Sequence, residues 1–145
     1  MYYDLFKKIS TPESNNHDEF KTTLIKDTNH RIAKNSKGLP SILINTKEDE
    51  SLVGNYKGAN ILLRFKENCK IHEDNASSMF TILSCRSDDE LTIKMFLDIC
   101  ETTIPQLNNE PSAIEIKEIT NIVINLFKEI SDKKRSIIGL WGELF

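Results

Sequence analysis

The chain has 145 residues, of which 39% are hydrophobic and 28% are charged, and its formal net charge is −3. A chain of this length forms about one domain and buries about 68–70% of its unfolded surface, and this composition excludes a disordered polypeptide. The negative net charge excludes a surface that is basic throughout, so any contact with a polyanion has to be local.

The cysteines and the N-terminus predict the cellular compartment. Cys69, Cys85 and Cys100 are odd in number and scattered, which predicts reduced core thiols rather than a disulfide framework. The first residues lack the pattern of a signal peptide, and no window approaches the roughly 18 apolar residues of a membrane span. We therefore expect a cytoplasmic protein without membrane contact.

The N-terminal half predicts a short helix followed by strands. Leu5, Phe6 and Ile9 share one helical face within residues 2–10, and the polar residues 11–19 predict a loop. Short β-branched runs joined by polar turns then favour antiparallel strands, and Gly54 and Gly58 predict a loop among them. The predicted strands are residues 20–25, 29–33, 41–46, 60–66, 69–72 and 78–85.

The C-terminal half predicts helices. Ser87 and Glu90 have capping-box spacing before a helix over 89–104, which ends near Pro105. Ser112 and Glu115 have the same spacing before a helix over 113–130. A third helix is predicted to begin at Asp132, with Lys133-Lys134-Arg135 as a solvated turn between helices.

This order of elements predicts an α+β fold, in which an antiparallel sheet of several strands is followed by C-terminal helices packed on it. The helical periodicity and the last strong strand also predict a set of buried side chains. They are Phe80, Phe96, Ile119, Val123 and Phe127.

Candidate sites for chemistry are sparse. Cys69-x-x-His72 has the spacing of half a zinc site, but a structural site needs four ligands and no second pair follows. His17 and His30 have no partner at ligand spacing. We interpret Cys69 and His72 as a strand-edge pair, with Cys69 inward and His72 near solvent. Nucleotide-binding and hydrolase motifs are absent from the sequence.

Residues 137–145 form an apolar, helix-like run that contains Gly139, Gly142 and Glu143. Each glycine costs a helix interior about 0.8–1 kcal/mol relative to Ala, which is tolerated where another backbone packs closely. Glu143 falls off the apolar stripe of Ile138, Trp141 and Phe145. Local physics alone therefore predicts that its carboxylate faces solvent.

A resemblance gives Glu143 a second interpretation. The segment Gly139-Leu140-Trp141-Gly142-Glu143-Leu144 resembles the G-L-[FW]-G-E-L segment of bacterial PD-(D/E)XK motif proteins, nucleases encoded near restriction-modification and phage-defence genes. The order of the predicted elements, including a hairpin from Arg31 to Ile44, is also similar to the front half of that family.

The resemblance implies an N-terminal, non-catalytic part of a PD-(D/E)XK-type DNA endonuclease. Residues 1–132 would be an α+β domain, and residues 133–145 would be the first helix of the nuclease core. Glu143 would be a catalytic and metal-binding carboxylate in the full-length protein, with Mg²⁺ as its ion. The implied partners are DNA or the subunits of a restriction or defence system.

The chain itself ends before the family's Asp and (D/E)-x-K pair. Mg²⁺ prefers several oxygen ligands in an octahedral array, so we expect no cofactor in this chain and no DNA cleavage by it alone. The alternative function is a stand-alone cytoplasmic interaction domain that self-associates through its C-terminal helix. The discriminating feature is whether a catalytic strand follows residue 145.

Overall fold

The computed structural model describes residues 1–15, 19–46, 55–58, 60–73 and 76–144; the side chains of 55, 56, 76, 77 and 131–144 lie outside that description. A helix, six strands and two α-helices follow one another; the predicted order of helix, sheet and helices is confirmed. The elements are α1 (Tyr2–Lys8), β1 (Glu19–Leu24), β2 (Arg31–Asn35), β3 (Pro40–Ile44), β4 (Asn55–Gly58), β5 (Ile61–Ile71), β6 (Ala76–Cys85), α2 (Glu90–Thr103) and α3 (Ala113–Leu144).

The six strands form one sheet in the order β1-β2-β3-β6-β5-β4, with antiparallel neighbours. The strand β1 also pairs in parallel with β5, where Glu19 lies opposite Lys70 and Phe20 opposite Ile71. The sheet therefore closes into a barrel, and β4 lies outside it on the edge of β5. The α+β class is confirmed, but a purely antiparallel sheet is wrong because β1 and β5 run parallel.

The single strand β5 covers two segments that the sequence predicts as separate strands. Residues 60–66 and 69–72 belong to a single long strand with a register shift between Arg64 and Glu67, where Lys66 has a φ of 48°. Such a bulge bends a strand and increases its twist. The first half of β5 pairs with β4, and its last residues pair with β1. The predicted loop at Gly58 is therefore also wrong, because this residue ends β4.

The barrel wall separates two apolar clusters. Along β3, Ile42 and Ile44 face the helices while Leu43 faces the barrel interior, as the alternation of a strand requires. The larger cluster joins the sheet to α1, α2 and α3. The interior cluster consists of Phe20, Ala33, Leu43, Cys69, Ile71 and Ile82, with the half-buried Phe80 packed against it.

The predicted core is confirmed except at one position. Phe96, Ile119, Val123 and Phe127 are buried between the sheet and the helices. Phe80 is only half-buried, because it packs at the edge of the small barrel interior. Burial of these side chains fixes α2 and α3 on the outer face of the barrel.

The helix caps differ in part from the sequence prediction. The cap of α2 is Asp89, whose carboxylate accepts a hydrogen bond from Thr92 N at 3.0 Å, so the predicted capping box at Ser87 is wrong. The Ser112 hydroxyl accepts from Glu115 N at 3.2 Å, as predicted. The Glu115 carboxylate accepts from Asn108 at 3.3 Å instead of closing a box.

The helix α3 is continuous from Ala113 to Leu144. A new helix beginning at Asp132 and a turn at Lys133-Lys134-Arg135 are therefore wrong. No Gly or Pro interrupts residues 128–138, so one Asp does not outweigh the helix formers around it. The predicted boundary between residues 132 and 133 lies inside this helix. Within the part of the chain described, no helix has both the length and the apolar surface to cross a bilayer.

Candidate functional site

The structure separates the two residues of the Cys69-x-x-His72 spacing. The Cys69 thiol lies in the barrel interior, where Sγ is 3.6 Å from the carbonyl oxygen of Ser78. His72 is half-buried beyond the end of β5, and its Nε2 is 3.3 Å from the Glu19 carboxylate. Among the described residues, no group of three His, Cys, Asp or Glu side chains is placed to hold a metal. His17 lies outside the described residues.

Glu143 lies in the last turn of α3, and its side chain is outside the description. The catalytic and metal-binding role implied for it stays a prediction. A Mg²⁺ site needs further oxygen ligands, and the described part of the chain places no such set together.

The hydrogen bonds and the burial of His30 indicate a structural role. Its Nδ1 accepts a hydrogen bond from Asn45 N at 3.0 Å, so Nε2 carries the proton that is donated to Asn108 O at 2.8 Å. The side chain is fully buried, and burial lowers the pKa of the imidazole. His30 therefore joins the loop before α3 to the barrel as a neutral group.

The three cysteines are free and buried. Burial raises the pKa of the Cys85 thiol and raises that of Cys100 well above its ordinary value. A thiol attacks as its thiolate, and the raised pKa values keep both thiols protonated at neutral pH. Cys85 and Cys100 are therefore core residues rather than nucleophiles. Cys69 also lies in the core, as the sequence predicts.

A cavity of about 350 Å³ lies at one end of the barrel interior. Its wall residues stand two positions along their strands from members of the interior cluster: Asn35 from Ala33, Ser41 from Leu43, and Ser84 from Ile82. Alternate residues of a strand share a face, so the cavity continues the barrel interior towards solvent. It is lined by Phe20, Asn35, Lys37, Leu39, Ser41, Leu62, Arg64, Ser84, Cys85 and Arg86.

The charged residues described in the lining of this cavity are all cations. Lys37, Arg64 and Arg86 line it, and no Asp or Glu is among the described residues that do so. These three cations form a local basic region in a chain whose net charge is −3. A concave, basic wall focuses a positive potential that attracts anions. The cavity is therefore the candidate functional site.

Three different elements place the cations. Lys37 lies in the β2–β3 turn, which Asn35 holds by accepting from the backbone N–H groups of Lys37 and Leu39 at 3.0 Å each. Gly38 in this turn has a φ of 78°, a conformation that favours glycine. Arg64 lies within β5, on the same face as Leu62. Arg86 follows β6 and donates its backbone N–H to Asn60 O at 2.8 Å.

The other wall residues of the cavity are neutral. The hydroxyl oxygens of Ser41 and Ser84 are 2.9 Å apart across paired positions of β3 and β6. Phe20, Leu39 and Leu62 supply apolar surface beside them. The cavity thus combines hydroxyl groups and an apolar wall with the three cations. This combination suits a ligand that carries both an anionic group and an apolar ring.

Sequence reasoning missed this site because its cations are far apart in the chain. A signal was present in β5, where Arg64 alternates with Leu63 and Phe65 in a strongly apolar run. The polar Ser84 has a similar position in β6. A charged residue on the inward face of a small barrel is uncommon unless it has a polar environment.

A second surface feature is an apolar groove of about 450 Å³ between α2 and α3. Leu91 and Ile130 line it and are 65% and 37% exposed, which is high for large aliphatic side chains. Met95 and Leu126 lie in the same groove. Its polar rim includes the Lys94–Asp98 ion pair, with 2.8 Å between Nζ and Oδ2.

Comparison of the chain with protein-family models found no match, and comparisons with curated proteins and with solved structures also found none. The resemblance of the terminal segment to PD-(D/E)XK motif proteins therefore stands on its own residues.

Proposed function

We propose that this chain is the N-terminal, non-catalytic part of a PD-(D/E)XK-type DNA endonuclease of a restriction or phage-defence system, and that it contacts DNA. The observation that carries the DNA contact is the cavity lined by Lys37, Arg64 and Arg86, with no carboxylate among its described lining residues. The nuclease context is supported by the resemblance of the segment around Glu143.

Phosphate groups are the natural ligands of such a cavity. Arginine presents a planar fork of donors that matches phosphate oxygens, and lysine adds a mobile point charge. Phosphate contacts supply most of the sequence-independent affinity for nucleic acids. Because the chain is acidic overall, a DNA strand would be held at this cavity rather than across the whole surface.

The proposed division of labour follows from the same residues. The described domain would hold DNA, while cleavage would belong to a nuclease core that Glu143 joins in the full-length protein. Mg²⁺ there would activate and orient oxygen atoms at the phosphate. The proposed compartment is the cytoplasm, which the free thiols of Cys69, Cys85 and Cys100 support.

The test is fluorescence anisotropy of labelled DNA across a salt series. Lys37→Gln/Arg86→Gln removes two exposed cations from the cavity, and Lys117→Gln/Lys128→Gln removes two exposed cations from α3. We expect the first variant to weaken binding and to reduce the slope of log K against log salt by about one to two. The second should bind as the unaltered chain does. Equal behaviour of both variants would contradict the proposal.

The apolar groove favours a second candidate function, self-association. Exposed apolar surface on α2 and α3 is a feature of interaction sites, and α3 extends beyond the groove into the predicted self-association segment. Sedimentation of the unaltered chain, of Leu91→Glu and of a chain without residues 137–145 tests it. A monomer at high concentration for the unaltered chain would exclude this function.

A further inference from the structure

We propose that the cavity at the barrel end is a binding site for a terminal phosphate monoester carried by one nucleotide, such as the phosphorylated end of a single DNA strand. The inference rests on the proposed function for its DNA context. It goes further by naming the part of the nucleic acid that enters the protein. The size, the charge and the lining of the cavity support this site.

The size of the cavity suits one nucleotide. Small-molecule sites have volumes of about 300–1,000 Å³, and this cavity of about 350 Å³ lies at the lower end of that range. The closed barrel has only the five strands β1, β2, β3, β6 and β5. A barrel of even about eight strands is filled by its own side chains. We therefore expect the cavity to take a single strand end rather than the body of a duplex.

The charge distinguishes an end from an internal phosphate. A phosphate monoester carries a charge of about −1.5 to −2 at neutral pH, whereas each internal diester of DNA carries one negative charge. Lys37, Arg64 and Arg86 converge on one cavity instead of following a strand across the surface. Three cations that line one cavity match a dianion better than a single diester.

The lining accounts for the rest of a nucleotide. Leu39 and Leu62 are half-buried and border the cavity beside Phe20, which gives an apolar wall for a base. Bases are commonly bound against apolar and aromatic side chains without regard to sequence. Ser41 and Ser84 add hydroxyl groups that accept and donate hydrogen bonds. The wall therefore predicts little preference among the four bases.

A strand end and a free nucleotide share this chemistry. The experiment therefore uses four probes of one sequence at fixed ionic strength. These are single-stranded oligonucleotides with a 5′-phosphate, a 3′-phosphate or hydroxyl groups at both ends, and a blunt duplex with hydroxyl ends. A free mononucleotide is added as competitor, and backbone amide shifts of Gly38, Ser41 and Ser84 report on occupancy.

We expect one phosphorylated strand to bind about tenfold more tightly than the hydroxyl strand, the factor that corresponds to about 1.4 kcal/mol. Arg64→Gln should abolish this preference. Arg64→Lys should retain part of it, because the charge stays while the fork is lost. Arg64 also interacts within the fold, so Lys37→Gln/Arg86→Gln provides a second test if Arg64→Gln does not fold.

The outcomes separate this inference from the proposed function. Equal affinity for phosphorylated and hydroxyl ends would overturn the inference, while salt-dependent duplex binding would still support the DNA contact. Amide shifts caused by the mononucleotide, without affinity for any oligonucleotide, would support the phosphate site with a free nucleotide as its source and would overturn the DNA contact. The absence of binding by every probe would overturn both.

Discussion

Gly58, at the end of β4, lies close to Ile124 of α3. A Cβ atom at this position would lie 2.9 Å from Ile124 Cγ2 and 3.2 Å from Ile124 Cδ1. Ile124 is buried and β-branched, so its side chain has little freedom to move away. We expect Gly58→Ala to lower the free energy of unfolding by about 1–3 kcal/mol, as measured by urea denaturation.

A double-mutant cycle identifies the cause of that loss. Gly58→Ala/Ile124→Val removes the Cδ1 methyl group and leaves Cγ2 in place, and Gly58→Ala/Ile124→Ala removes both. The cost of Gly58→Ala should therefore fall stepwise along this series. A constant cost in all backgrounds would show that glycine is needed here for its backbone freedom instead.

His30 predicts a pH dependence of stability. Burial lowers its pKa in the folded chain below the ordinary value of 6.5. Above about pH 6.5 the imidazole is neutral in both states and contributes no pH dependence. Below it, the unfolded chain binds a proton that the folded chain excludes, so stability falls until the lower folded pKa is reached.

The measurement compares unfolding free energies at about pH 7.5 and 5.5, where we expect the lowered pKa of this group to make the folded chain less stable at the lower pH. His30→Gln should be less stable at both pH values, because the bonds to Asn45 and Asn108 are disturbed, but it should lack this pH-dependent loss. An equal loss in both proteins would assign it to other groups.

At the scale of elements, α3 packs against the sheet and α2 through one of its faces. Phe127 is buried against the sheet and α2, whereas Ile122 on the same helix is 41% exposed. We expect Phe127→Ala to cost about 3–5 kcal/mol if the site does not collapse. Ile122→Ala should change stability by less than about 0.5 kcal/mol. Similar losses in the two variants would show that the buried face is assigned incorrectly.

The pairing between β1 and β5 is the shortest ladder in the barrel. Its parallel ladder covers two residue pairs, and His72 N adds a hydrogen bond of 2.9 Å to Phe20 O. The Glu73 carboxylate accepts hydrogen bonds from Thr22 N and from Thr22 Oγ1, the latter at 2.6 Å. This side-chain bridge therefore extends a short ladder.

Glu73→Ala should open this contact locally. We expect amide hydrogen exchange to accelerate in β1 around Thr22, while β3 and β6, which lie between two neighbours, keep their protection. Glu110→Ala removes an exposed carboxylate from the loop before α3 and should leave β1 unchanged. Uniform acceleration across the sheet would indicate global destabilisation rather than an opening of the contact.

For the molecule as a whole, an anion site predicts a stabilising effect of phosphate. A ligand that binds only the folded chain stabilises it by RT ln(1 + [L]/Kd), or about 2.7 kcal/mol at a hundredfold excess over Kd. Inorganic phosphate should raise Tm more than chloride at equal ionic strength. Lys37→Gln/Arg86→Gln should lose this difference, whereas Lys117→Gln/Lys128→Gln should keep it.

Much of this architecture is predictable from local patterns. The buried faces of α2 and α3 follow from periodicity, because Phe96 and Phe127 recur with their neighbours at helical spacing. The strand β4 was not predictable, because four residues ending in Gly58 show no alternation and their partner β5 decides their conformation. Asp89 and Ser87 are both good caps, so the sequence did not decide between them.

The barrel and its cavity depend on contacts between distant residues. No turn signals that Phe20 lies beside Ile71, and nothing local indicates that Lys37, Arg64 and Arg86 line one cavity. The interior position of Arg64 was the available clue. The role of Glu143 stays a prediction, because its side chain lies outside the described residues.

The parallel contact between β1 and β5 also has a consequence for the order of folding. Thr22 and Glu73 are 51 positions apart, whereas β1 and β2 meet through a short hairpin. The entropy lost on closing a loop rises with its length, by about 0.6 kcal/mol for each doubling. The hairpins therefore gain their contacts at lower entropic cost, and we expect the barrel to close after the meander β1-β2-β3 has formed. Because Phe20 borders the cavity, the proposed anion site would be completed only in this last step, and a nascent chain would acquire affinity for phosphate only when it becomes native.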